Sequence, residues 1–177
     1  MIEVYVSGMA FDTASNAPVV LLREREGDRV LPIWIGANEA GVIALELAGT
    51  SYRRPLTHDL LRSVLHGFNA ELQKVVVSGL EENTFYAKFY IQASENEIIE
   101  IDARPSDSIA MALKMDAPIF ISDDLENSLI EIDTESAGDD ADDDDFDEEA
   151  ESDFSAQMEL RKRLRNIKPE DFGNYDL

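Results

Sequence analysis

Residues Glu3-Val4-Tyr5-Val6-Ser7-Gly8-Met9 return seventy-one positions later as Lys74-Val75-Val76-Val77-Ser78-Gly79-Leu80. The match is too close to reflect generic strand composition. Similarity at a fixed spacing indicates an internal repeat, and a repeat determines the architecture of the whole fold. The sequence therefore predicts two copies of one unit, at about residues 1–66 and 71–130.

Two further matches extend this repeat. Leu31-Pro32-Ile33-Trp34-Ile35 precedes Ile99-Glu100-Ile101-Asp102-Ala103 by sixty-eight positions, and each run leads into an apolar helix with small residues. Strands are predicted at residues 2–11, 18–23, 29–35, 72–79, 84–92, 98–103 and 118–122. The predicted fold is α+β, a duplicated β-β-β-α unit whose mostly antiparallel sheet has helices packed on it.

Local signals place the ends of these elements. Pro32 cannot donate to a strand ladder, so its strand is predicted to be an edge or bulged strand. Asn38 and Thr57 are predicted N-caps of the next two helices, and Pro105 opens a helix that ends near Met115. The helix after Thr57 is predicted to bury its apolar face, which consists of Leu60, Leu61, Val64, Leu65 and Phe68.

Charge divides the chain into a domain and a tail. The net charge is −23, and residues 1–130 hold 20 acidic and 10 basic side chains. Residues 131–153 contain fourteen carboxylates and no Lys or Arg, which predicts a disordered acidic tract. Residues 154–177 are predicted to be a C-terminal tail with a short amphipathic helix whose basic face carries Arg161, Lys162, Arg163 and Arg165.

The composition also bears on the compartment. The chain has no cysteine, so disulfides and thiolate metal sites are excluded. No apolar run approaches the length that spans a membrane, and the N-terminus has no basic region of a signal peptide. We expect a cytoplasmic protein that is not associated with a membrane.

The repeat places Glu39 and Asp107 at equivalent points, each in the first turn of a helix after a strand. Carboxylates at helix starts are stabilised by the exposed amides, which is one sufficient explanation. Alternatively, two such carboxylates brought together by pseudo-symmetry suit Mg²⁺ or Mn²⁺, which prefer oxygen ligands. For Asp102 and Arg104 the alternatives are a local ion pair, or a metal ligand beside a phosphate clamp.

The densest group of side chains for phosphate chemistry lies between residues 53 and 59. Arg53 and Arg54 precede the helix, and His58 and Asp59 lie in its first turn. Guanidinium groups stabilise phosphate charge, and an imidazole or a carboxylate transfers protons. The alternative is that these residues only begin a helix and have no catalytic or binding role.

Three separated motifs resemble one known family. They are Leu31-Pro32-Ile33-Trp34-Ile35-Gly36 with Glu39-Ala40, Arg54-Pro55-Leu56-Thr57-His58-Asp59-Leu60, and Asp102-Ala103-Arg104-Pro105-Ser106-Asp107-Ser108-Ile109-Ala110. In this order they resemble the bifunctional nuclease family over about residues 1–125. The resemblance implies cleavage of DNA and RNA with the help of a divalent metal, by a duplicated fold that often forms homo-oligomers.

The first hypothesis is therefore metal-assisted hydrolysis of phosphodiester bonds in DNA and RNA. Its proposed residues are Glu39, Asp102 and Asp107 for Mg²⁺ or Mn²⁺, Arg53, Arg54 and Arg104 for phosphate, and His58 and Asp59 for catalysis. The rival hypothesis is a non-catalytic oligomeric interaction or regulatory module with an acidic interaction tail. A third hypothesis is that the acidic tract imitates a polyanion and binds the surface formed by Arg53, Arg54 and Arg104.

Overall fold

Eight strands form a single sheet in the computed structural model, which describes residues 1–50, 52–94 and 97–131. The strands are β1 (Ile2–Asp12), β2 (Ala17–Glu24), β3 (Arg29–Trp34), β4 (Glu71–Glu81), β5 (Thr84–Ser94), β6 (Glu97–Ala103), β7 (Ile119–Ile121) and β8 (Ile130–Glu131). The helices are α1 (Ala37–Leu47), α2 (Thr57–Gly67) and α3 (Pro105–Met115), with a 3-10 helix at Asp123–Ser128. Apart from Glu131, the predicted acidic tract and C-terminal tail lie outside the described residues.

The strand order is β6-β5-β4-β7-β1-β2-β3-β8. Every neighbouring pair is antiparallel except β4 and β7, which run parallel. This mostly antiparallel sheet with packed helices confirms the α+β prediction. Three antiparallel strands precede a helix in each half of the chain, although the descent of the halves from one duplicated unit stays a prediction.

The Val-Ser-Gly step in each half coincides with a break in strand register. On β1 the pairing passes from Val6 to Gly8, and on β4 it passes from Val77 to Gly79. The serine between them is an extra residue opposite a continuous partner strand, which is the definition of a β-bulge. The motif that opens the sequence therefore encodes a bend at the same place in two strands.

The core lies between the sheet and helices α1 and α3. Its fully buried side chains include Leu22, Leu31, Ile43, Val75, Ile109, Met111 and Ile121. Helix α3 is the most deeply packed, because seven of its eleven residues are buried. Tight packing of this kind leaves little freedom for a helix to shift, so the start of α3 is held in a fixed place.

Two predicted N-caps were wrong. Helix α1 begins at Ala37 after Gly36, and Asn38 lies inside its first turn without capping it. Helix α2 begins at Thr57 itself. There the carboxylate of Asp59 accepts a hydrogen bond at 2.8 Å from the amide of Leu56, the residue before the helix, as the acid of a capping box does.

The prediction that α2 buries its apolar face was also wrong. None of its residues is buried, and Leu60 and Phe68 have exposed fractions of 58% and 78%. The periodicity correctly indicates an amphipathic helix, but periodicity does not specify what covers the apolar side. In the described part of the chain, α2 packs mainly on α3 and leaves most of that side open.

The prediction that Pro32 lies on an edge or bulged strand is met only locally, because β3 lies between β2 and β8 and its pairing with β2 has no bulge. β8 pairs with β3 only at Arg29 and Val30, so within the described residues Pro32 lies on the part of β3 whose partner is β2 alone. The helix from Pro105 to Met115 is confirmed, and all seven predicted strands are present with bounds within two residues of the prediction, whereas β8 was not predicted. Among residues 1–50, 52–94 and 97–131, no helix has the length and apolar character that crossing a bilayer requires.

Candidate functional site

The guanidinium of Arg104 joins the two carboxylates at the helix starts. Its Nη1 donates to Glu39 Oε1 at 2.8 Å, and its Nε donates to Asp107 Oδ2 at 2.8 Å. A third, longer bond runs from Nη2 to Asp107 Oδ1 at 3.3 Å. Glu39 of α1 and Asp107 of α3 therefore lie on opposite sides of one shared cation.

His58 completes this group from a third helix. Its Nε2 lies 3.3 Å from Asp107 Oδ1, and its side chain is 16% exposed, so it is accessible but restrained. We call Glu39, His58, Arg104 and Asp107 the Arg104 cluster. Residues separated by up to 68 positions in the sequence thus converge around the ion pair of Arg104 and Asp107.

Local backbone geometry explains how the two carboxylates reach the cluster. Arg104 is the extended residue before α3, and Pro105 supplies the first helical position, so Asp107 falls three residues after Arg104 and faces it. Gly36 precedes α1 in the same way. A Cβ at Gly36 would collide with Glu39 Oε2, so glycine is what allows that carboxylate to fold back over the helix start.

Electrostatics keep Asp107 ionised. Burial by itself would raise the pKa of Asp107, but the hydrogen bonds and charge of Arg104, followed by those of His58, outweigh burial and lower it. The same contacts, first with Asp107 and then with Glu39, raise the pKa of Arg104. With a neutral imidazole, the cluster holds two carboxylates and one guanidinium.

A second polar group ties the three helices together. Lys114 of α3 donates to Asp59 Oδ1 of α2 at 2.5 Å and contacts Glu46 Oε1 of α1 at 2.5 Å. Its side chain is only 7% exposed. We call Glu46, Asp59 and Lys114 the Lys114 cluster, and its place between helices indicates a structural role.

The pKa shifts in the Lys114 cluster agree with ion pairing. The hydrogen bond from Lys114 lowers the pKa of Asp59, and the Leu56 amide adds to this effect. Burial favours a lower pKa for Lys114, but Asp59 and Glu46 outweigh it and raise the pKa. Asp59 was predicted to be catalytic, and both of its oxygens are occupied by structural donors.

The remaining predicted residues lie outside both clusters. Arg53 and Arg54 are exposed before α2, and within the described ranges neither has an ion-pair partner. Asp102 is exposed on β6 opposite Lys88 of β5. The alternative of a local ion pair between Asp102 and Arg104 is wrong, because Arg104 pairs with Glu39 and Asp107 instead.

The side chains around Glu39 and Asp107 bear on the predicted cation site. In the part of the chain that the structure describes, no three Asp, Glu or His side chains are placed to hold a metal ion together. The guanidinium already lies between Glu39 and Asp107 and neutralises them. In this arrangement the set does not fit Mg²⁺ or Mn²⁺, and the metal site stays a prediction.

Sequence reasoning missed two groups that shape the site. Glu46 and Lys114 carry no local signal, since a lysine at the end of an apolar helix normally reaches into water. Their pairing depends on how α1, α2 and α3 pack, which the sequence pattern does not encode. Gly36 belongs to a family motif, but the motif does not indicate that its missing side chain makes room for the carboxylate of Glu39.

Comparison with known proteins identifies the relatives of this chain. A family described as the bifunctional nuclease domain matches residues 20–132, which include every residue of both clusters. An uncharacterised protein of Mycobacterium tuberculosis (strain ATCC 25618 / H37Rv) is 46% identical over 121 residues, covering 68% of this chain and 71% of that protein. Bifunctional nuclease 1 of Oryza sativa subsp. japonica and the bifunctional nuclease of Oryza minuta are each 23% identical over 113 residues, covering 63% of this chain and 34% of theirs.

Proposed function

Because this chain belongs to the bifunctional nuclease domain family, we propose that it hydrolyses phosphodiester bonds in DNA and RNA at the Arg104 cluster. One observation carries the proposal, namely the contact between His58 Nε2 and the ionised carboxylate of Asp107. A carboxylate that orients an imidazole is a recurrent arrangement for proton transfer in hydrolysis.

The proposed role of His58 is to accept a proton from the attacking oxygen. When Nε2–H donates to Asp107, the other ring nitrogen, Nδ1, carries the free lone pair. Asp107 also stabilises the imidazolium after the proton is taken, because it remains ionised beside Arg104. General bases of this kind contribute about 10²–10⁴-fold to a rate.

The proposed role of the arginines is to bind phosphate. The side chain of Arg104 is 64% exposed, so it can turn from Glu39 toward a substrate phosphate while Asp107 still holds its Nε. Arg53 and Arg54 offer two more guanidinium groups before α2. Bidentate guanidinium contacts suit phosphate oxygens and the charge that develops on them during cleavage.

Whether the proposed hydrolysis requires a divalent cation is a separate question. Turning Arg104 toward phosphate frees Glu39, whereas Asp107 becomes available to Mg²⁺ or Mn²⁺ only if Arg104 leaves it as well. Cleavage measured with EDTA, Mg²⁺ and Mn²⁺ on the same preparation decides whether the reaction requires one.

The decisive experiment compares the two histidines of α2. His58→Ala and His66→Ala are purified identically and incubated with single-stranded DNA and RNA. We expect His58→Ala and Asp107→Asn to lose about 100-fold or more in rate, and His66→Ala to cleave as wild type does, because His66 lies exposed at the far end of the helix. Equal cleavage by all four proteins would point to a contaminant or to a different site.

A non-catalytic, oligomeric interaction module is the second candidate, and the open apolar side of α2 favours it. Under this alternative Asp107 and Asp59 only hold helices in place. Asp107→Asn would then destabilise the fold with no cleavage to lose, and sedimentation would show self-association. Cleavage by wild type that disappears in His58→Ala at unchanged stability would exclude it.

A further inference from the structure

Helix α2 presents an apolar surface that the described residues leave open. Leu60, Leu61, Val64 and Phe68 have exposed fractions of 58%, 37%, 42% and 78%. They recur at helical spacing, so they lie along one side of α2. We call these four residues the α2 face. A contiguous exposed apolar surface on a folded protein usually marks a binding site.

The same segment is positively charged in an acidic protein. Residues 52–68 contain three arginines and one acidic residue, Asp59. Asp59 already forms an ion pair with Lys114, and its contact with Arg62 is long, at 3.9 Å. Arg53 and Arg54 are without an ion pair in the described part of the chain. A ligand for this surface should therefore combine negative charge with apolar side chains.

We infer that the α2 face and its arginines bind residues 139–154 of the same chain. This acidic segment contains eleven carboxylates together with Phe146 and Phe154. The carboxylates complement the arginines, and the two phenylalanines complement the leucines of the α2 face. Acidic segments with interspersed aromatic residues are suited to a surface that is both cationic and apolar.

The length of the connecting chain permits this contact. The described chain ends at Glu131, and Phe154 is the twenty-third residue after it. At about 3.3 Å per residue this stretch spans up to about 75 Å, whereas a domain of this size has a radius of gyration of about 14 Å. Every surface of the domain is thus within reach, and tethering supplies a local concentration of about 1 mM.

A second copy of the chain fits this surface less well. A symmetric dimer through α2 would bring the arginines of both copies to one interface, where like charges repel. Arg104, which the sequence also offered as a partner for the tract, is already neutralised by Glu39 and Asp107.

A regulatory consequence follows if the proposed function holds. A bound acidic segment would cover Arg53 and Arg54 next to His58, so nucleic acid would have to displace it before cleavage. The docking itself does not depend on nuclease activity. It is therefore tested with a peptide rather than with a substrate.

The experiment measures binding of a fluorescent peptide of residues 139–154 to full-length protein at low salt. In the tract variant, Asp142, Asp143, Asp144, Asp145 and Asp147 are changed to Asn, and Phe146 to Ala. We expect the peptide to bind the tract variant at least about 10-fold more tightly than wild type, because the tethered segment no longer competes. Equal affinities would overturn the intramolecular contact.

Matched surface substitutions in the tract variant locate the binding site. Arg53→Ala with Arg54→Ala, and separately Phe68→Ser, should each weaken peptide binding about 10-fold, as expected for central contacts. Ile98→Ser is the control, since Ile98 is an apolar residue that is 60% exposed on the edge strand β6 and is not part of the α2 face. An equal loss in Ile98→Ser would overturn the assignment to α2. Self-association that Phe68→Ser abolishes, with peptide binding intact, would assign the surface to a second copy instead.

Discussion

Asp107 combines the roles that the sequence offered as alternatives. Its position in the first turn of α3 is favourable for any acid, and that explanation alone would require no partner. In the structure it also binds Arg104 through both oxygens and approaches His58. One carboxylate thus stabilises a helix start and positions two side chains from elsewhere in the chain.

Replacing Asp107 should change stability in a pH-dependent way. The folded protein lowers the pKa of Asp107 from its ordinary value of 3.8, so its ionised form stabilises the fold at any pH well above that value. This contribution is lost as the pH falls through the folded pKa. The difference in unfolding free energy between wild type and Asp107→Asn should be constant above about pH 5 and shrink below about pH 4.

Urea unfolding at a series of pH values measures this difference. Asp102→Asn serves as the control, because Asp102 is exposed on β6 and its removal should cost little at any pH. A difference that grows on acidification would mean that Asp107 is not held in its ionised form.

Part of the candidate site was predictable from single residues. The repeat aligned Glu39 with Asp107, and the structure places them around one guanidinium. The identity of the group between them was not predictable. Arg104 would compete with a metal for the same oxygens, and only the packing of α1 against α3 decides how close those oxygens come.

At the scale of elements, predictability followed the strength of local signals. β1 and α3 were predictable because alternation and an opening Pro105 are encoded within the segment itself. The burial of α2 was not predictable, because it depends on which surface covers the apolar side of the helix, and the sequence pattern does not specify that surface. The N-cap of α2 was misplaced by one residue, since Asp59 reaches back to Leu56.

Lys114 should be the most sensitive polar residue among the helices. Lys114→Met removes the shared cation and leaves Glu46 and Asp59, whose side chains are 17% and 22% exposed, without it. Breaking a buried pair in this way costs about 3–5 kcal/mol of unfolding free energy. Arg62→Met is the matched control, since that 3.9 Å contact is largely exposed and should cost less than about 1 kcal/mol.

Chemical unfolding of both variants at neutral pH makes the comparison. A cost for Lys114→Met no greater than that for Arg62→Met would show that the three helices are held by apolar packing alone. In that case the Lys114 cluster would be a consequence of the packing and not its cause.

For the whole molecule, charge limits how nucleic acid can bind. Residues 1–130 hold twice as many acidic as basic side chains, so long-range attraction to a polyanion is absent. At a screening length of about 8 Å in physiological salt, nearby groups dominate. The proposed binding must therefore depend on Arg53 and Arg54 before α2 and on the Arg104 cluster.

The salt dependence of the binding constant measures how many phosphates the protein neutralises. If Arg53, Arg54 and Arg104 each neutralise one phosphate of a single strand, log K should fall with log salt with a slope of about −2. Removing Arg53 and Arg54 together should leave a slope of about −0.7. Fluorescence anisotropy with a short oligonucleotide measures both, and a slope steeper than about −4 for wild type would require a larger cationic surface.

The position of β7 in the chain delays completion of the sheet during synthesis. This three-residue strand lies between β1 and β4 and pairs with both. Until Ile121 leaves the ribosome, each of those strands has an unpaired inner edge. The two halves of the sheet therefore cannot join in their native order before β7 has been made, and unpaired strand edges of this kind favour aggregation.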